Sequence, residues 1–88
     1  MSSSGNPWYL YVVQCNDGTL YTGVTTDTDR RIHEHNTSKR GAKYTKTRRP
    51  VKLVYKRRYA TRSEAQRVEY QFKQMVRGEK IEIIKKSS

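Results

Sequence analysis

Several things are scarce in this 88-residue chain, and each scarcity excludes something. It has one cysteine, Cys15, so no internal disulfide can form and no cysteine-based zinc site is available. Cys15 falls in an expected strand and reads as a small buried hydrophobe. No apolar run is long enough to span a bilayer or serve as a secretory signal. The expected setting is reducing and intracellular: cytoplasmic, or nuclear in a eukaryote. Hydrophobic residues make up 33% of the chain, which supports one modest core and a single small domain. That domain is expected over residues 7–86, after a disordered polar lead over residues 1–6.

Acid is also scarce. Between Glu34 and Glu64 there is no carboxylate, and the net charge is +11. Lys39, Arg40, Lys43, Lys46, Arg48 and Arg49 lie in a polar loop there, and Lys52, Lys56, Arg57 and Arg58 lie in the segment after it. Basic density of this kind points to a polyanion partner. No amphipathic helix sets bulky apolar residues opposite these bases, so a membrane surface is not the expected partner. Tyr44 stands among the loop bases, a pattern suited to gripping a nucleic-acid backbone.

What is present begins with a hairpin. Trp8-Tyr-Leu-Tyr-Val-Val-Gln-Cys15 and Thr19-Leu-Tyr-Thr-Gly-Val-Thr25 are aromatic and β-branched and read as strands. Asn16-Asp17-Gly18 lies between them. A three-residue loop with Gly18 in the left-handed region pairs Cys15 with Thr19. Tyr11 then faces Gly23, Tyr21 faces Val13, and the two phenols share one side of the sheet. A two-residue Asp-Gly turn would put them on opposite sides.

Thr26-Asp-Thr-Asp29 reads as a helix start, with the helix running from about 28 to 37. Its apolar face is poor, so polar contacts are expected to hold it. Arg31 and His35 stand one turn apart on one face. Pro50 opens a third strand, Val51–Tyr59, in which Leu53 and Tyr55 share a face by simple alternation. Thr61-Arg-Ser-Glu64 is a capping box. The helix after it carries Ala65, Val68, Phe72 and Met75 as an apolar stripe and is expected to end near Gly78. A short last helix is expected over 79–86. Glu69 sits at the edge of the stripe. It can pair with Lys73 one turn on, or offer one carboxylate to a divalent cation.

Tyr9-Leu-Tyr11, Leu20-Tyr-Thr-Gly23, Arg31, His35 and Glu69, in that order, resemble the GIY-YIG nuclease family. The likeness is closest to its small stand-alone members, with their Gly41-Ala-Lys-Tyr44 loop. Tyr9 replaces the first triplet's glycine, and the asparagine many members carry after the glutamate is absent. The resemblance implies an α/β sandwich with a central three-stranded, mainly antiparallel sheet flanked by helices. It implies Tyr11, Tyr21, Arg31, His35 and Glu69 as catalytic residues, with Gly23 as a structural one. Glu69 would bind one Mg²⁺ or Mn²⁺, and the reaction would be hydrolysis of a DNA phosphodiester to a 5′-phosphate and a 3′-hydroxyl. The proton acceptor stays open among Tyr11, Tyr21 and His35. The alternative is a non-catalytic DNA- or RNA-binding module on the same fold. A basic protein that docks on an acidic protein partner is a further reading.

Overall fold

The structure is a computed structural model that describes residues 7–37 and 40–86. The expected lead over residues 1–6 and the loop base Lys39 lie outside the described residues. Three strands, β1 (Trp8–Gln14), β2 (Leu20–Thr25) and β3 (Lys52–Tyr59), form one antiparallel sheet in the order β2-β1-β3. β1 is central and covered on both sides, which is why its residues do not alternate with polar ones. Leu10 and Val12 point to one face, Tyr11 and Val13 to the other, and all four are at most 1% exposed.

The hairpin closes as its loop length dictates. Gly18 has φ +86°, the Cys15 N–H donates to Thr19 O at 2.8 Å, and Tyr11 pairs with Gly23. The Asp17 carboxylate accepts from the Thr19 N–H and hydroxyl, which stiffens the turn.

Helices cover both faces. α1 (Thr28–Thr37) lies over the Tyr11 face, where Ile32 packs against Tyr11, Val13, Cys15 and Val51. Asp27 caps it by accepting from the Arg30 N–H at 3.0 Å. α3 (Arg62–Gln74) covers the Leu10 face, and its Phe72 stacks on Tyr55. Its capping box forms: the Thr61 hydroxyl accepts from the Glu64 N–H.

Three local expectations need correction. The loop after α1 contains a one-turn helix, α2 (Lys43–Lys46). Leu53 and Tyr55 do not share a face, because a bulge between Val12 and Val13 inserts Val54 into the pairing. Val54 and Tyr55 therefore both face the α3 side, Val54 beside Ile81 and Ile84, while Leu53 is 38% exposed. Gly78 does not end α3. The chain turns extended at Met75, and Gly78 lies in the first turn of α4 (Arg77–Lys86). The Glu79 carboxylate accepts from the Val76 N–H and starts that helix.

Candidate active site

Cross-strand pairing puts Tyr11 beside Gly23, and the phenol lies against that glycine. A Cβ at Gly23 would stand 2.5 Å from Tyr11 Oη and 2.8 Å from Cζ. Gly23 is thus required by close approach, and its φ is unexceptional. Tyr21 shares this face. Its ring meets His35 edge-on at 5.3 Å and stacks on Tyr44 at 6.0 Å.

α1 brings the other groups. His35 is 0% exposed, and its Nε2 lies 2.8 Å from Tyr11 Oη. Its Nδ1 lies 2.8 Å from Thr45 Oγ1 and receives the Ala42 N–H at 3.3 Å. Arg31, one turn earlier, donates to Glu34 Oε1 at 2.9 Å and to the Arg40 carbonyl at 2.8 Å, and its charge acts on the Tyr11 hydroxyl. Arg31 also holds the Glu34 carboxyl below its usual range.

These neighbours set the protonation states. Burial pushes the Tyr11 phenol up to about 12. Arg31 opposes the rise, and Tyr21 and Glu69 add to it. Burial, helped by Arg31, brings the His35 imidazole down to about 4. The resting pair at neutral pH is a neutral phenol against a neutral imidazole.

Glu69 comes from the other side of the sheet on α3. It pairs with Lys73 at 3.2 Å, its side chain is 21% exposed, and its charge reaches the Tyr11 hydroxyl. Among the described residues no three His, Cys, Asp or Glu side chains gather into a closed metal cage. A single partly exposed carboxylate does not suit zinc. It suits a hard cation that keeps most of its water.

The basic loop divides. Arg48 lies 3.9 Å over the Tyr44 ring, donates to the Tyr44 carbonyl at 2.8 Å and pairs with Asp17 at 3.1 Å. Arg49 donates to the His35 and Glu34 carbonyls at the end of α1. Both arginines tie the fold together. Lys43 and Lys46 project from α2 into solvent, and Arg40 and Tyr44 are exposed beside them. Two residues of the site carried no signal in the sequence: Thr45 and Asn36. Asn36 clasps Val51 at both its N–H and C=O, at 2.7 and 3.0 Å. A lone polar residue at a helix end or in a polar loop follows no period that would mark it.

The sequence pattern of the GIY-YIG catalytic domain matches residues 7–82. The chain belongs to the GIY-YIG family. A UPF0213 protein of Desulfotalea psychrophila is 54% identical over 80 residues, covering 91% of this chain and 73% of its own length. One from Staphylococcus epidermidis is 51% identical over 76 residues, covering 86% and 92%. The solution NMR structure of a UPF0213 protein from Bacillus halodurans superposes with TM-score 0.59 at 43% identity, covering 90% of this chain and 83% of that one. A solution NMR structure from E. faecalis gives 0.64 at 41%, covering 97% and 90%. This GIY-YIG domain thus has the three-stranded α/β nuclease fold. No helix among its described residues is long and apolar enough to cross a membrane.

Proposed function

We propose that this GIY-YIG domain is a divalent-metal-dependent endonuclease that hydrolyses DNA phosphodiester bonds, with a structural preference or low sequence specificity. One observation carries the reading: Arg31, His35 and Glu69, from two helices on opposite faces, all act on the same Tyr11 oxygen. Such convergence is what a proton-transfer centre needs and what a packing tyrosine does not.

The scissile phosphate lies over the face that carries Tyr11 and Tyr21. Glu69 would hold one Mg²⁺ or Mn²⁺, and that ion would neutralise phosphate charge and favour the Tyr11 phenolate. Arg31 offers a forked donor to charge developing on the phosphate oxygens. Tyr11 takes the proton of the attacking water. His35 is too weakly basic for that role and instead holds the phenol oxygen in place. Tyr21, propped between His35 and Tyr44, lines the other side. Lys43, Lys46 and Arg40 meet flanking phosphates, with Tyr44 as an apolar support. The setting proposed is intracellular, where the buried Cys15 stays a thiol.

A nicking assay on supercoiled, branched and single-stranded DNA, with and without Mg²⁺ or Mn²⁺, tests this. Metal-dependent nicking by the protein, lost in Glu69→Ala with DNA binding unchanged, is the expected result. Metal-independent binding without nicking on any substrate would leave the non-catalytic module instead.

A further inference from the structure

The contacts around His35 contain one donor of fixed polarity. A backbone N–H can only donate, so the Ala42 N–H at 3.3 Å requires a lone pair on His35 Nδ1. Thr45 Oγ1 lies 2.8 Å from the same nitrogen and 2.9 Å from the Ala42 carbonyl. That carbonyl already accepts from the Thr45 and Lys46 N–H groups, at 3.0 and 3.2 Å. With Nδ1 bare, two lone pairs would face each other at 2.8 Å unless the Thr45 hydroxyl turns its one hydrogen from the Ala42 carbonyl to Nδ1. A neutral imidazole whose Nδ1 accepts carries its hydrogen on Nε2, the atom 2.8 Å from Tyr11 Oη.

Gly41 makes this arrangement possible. It is buried, and a Cβ there would stand 2.7 Å from the Glu34 carbonyl oxygen and 2.9 Å from His35 Cα. Only a bare backbone lets the loop come close enough for the next N–H to reach the ring. The same short segment supplies Thr45, which is 0% exposed.

We propose that the Gly41–Thr45 segment is a positioning device that sets the tautomer of His35. The Ala42 N–H and the Thr45 hydroxyl hold Nδ1 unprotonated, so Nε2–H donates to Tyr11 Oη and supports that oxygen as it loses its proton. Thr45 is a positioning residue that acts through His35. The catalytic consequence rests on the nuclease reading above; the tautomer itself does not.

The test begins with ¹⁵N NMR of the two histidine rings in the free protein, without DNA or metal, the His35 signals being assigned by a His33→Gln variant. The expected spectrum shows His35 protonated at Nε2 and bare at Nδ1. Thr45→Val should raise the Nδ1–H fraction and lower kcat for nicking about 10- to 100-fold with KM unchanged, as removal of orienting partners does elsewhere. Thr45→Ser should restore both. If Thr45→Val does not fold, Gly41→Ala, which moves the Ala42 N–H away, should shift the tautomer in the same direction. A wild-type His35 protonated at Nδ1 would overturn the proposal. So would variants that leave tautomer and kcat alone. A protein that shows the expected tautomer but nicks nothing would instead count against the nuclease reading.

Discussion

α1 and α3 lie on opposite faces of one sheet and are held there by different forces. α3 docks by apolar burial, through Ala65 and through Phe72 stacked on Tyr55. α1 has Ile32 as its one large aliphatic side chain, and its most buried side chain is His35. Hydrogen bonds hold α1 instead: Asp27 at its start, and Asn36 and Arg49 at its end. An apolar interface tolerates small shifts of its parts, but a buried polar one is stable only when each donor meets its acceptor. The bonds that hold α1 on the sheet are therefore the bonds that aim its side chains at Tyr11. On this face, stability and site geometry rest on the same atoms.

Four measurements press on that contrast. The largest effect is expected on the apolar side. Phe72→Ala should cost about 3–5 kcal/mol in denaturant unfolding, by lost burial and the cavity left behind. A cost below about 1 kcal/mol would mean that α3 is not held by burial.

His35 should reveal the polar side through pH. In the folded chain it stays neutral to about 4, whereas in the unfolded chain it takes a proton near 6.5. The unfolded state binds more protons between those values, so stability should fall as pH drops from about 6.5 toward 4. The full loss is on the order of 3 kcal/mol. A His35→Gln variant should lack this slope; a wild-type chain with no slope would mean that the imidazole is not buried neutral.

Asn36→Ala leaves the Val51 N–H and C=O without partners and should cost about 1–3 kcal/mol. It should also lower nicking, because it loosens the end of α1 next to His35. Unchanged nicking at reduced stability would separate the two roles that the polar face is held to combine. The smallest effect belongs to the far face. Thr61→Ala removes the α3 cap and should cost about 1 kcal/mol with nicking unaltered.

Much of the frame could be read without coordinates, for local reasons. A three-residue loop ending in glycine sets strand parity, so the Tyr11–Gly23 and Val13–Tyr21 pairs followed from counting. The starts of α1 and α3 followed from the capping residues Asp27 and Thr61. The β3 bulge did not follow, because Val54, Leu53 and Tyr55 are all plausible strand residues and the choice is made by β1 and α4. The end of α3 did not follow either. Met75 and Val76 are compatible with helix, and the turn there is stabilised by the new helix that Glu79 starts. In the basic loop, charge was legible but use was not: Arg48 and Arg49 read like Lys43 and Lys46, and only their distant partners Asp17 and His35 distinguish them.

Loop length, capping chemistry and the spacing of Arg31 and His35 act over a few residues, so the sequence alone determined the hairpin register, the helix starts and the face on which the two phenols lie. The meeting of α1 with Tyr11 and with the Gly41–Thr45 segment, and the reach of the Glu69 charge from α3 to Tyr11, were decided only in the tertiary structure. Those groups lie up to 58 residues from Tyr11 along the chain, the separation of Tyr11 from Glu69. The protonation states of Tyr11 and His35 depend on how deeply packing buries them, and burial is a property of the assembled layers that no local stretch encodes.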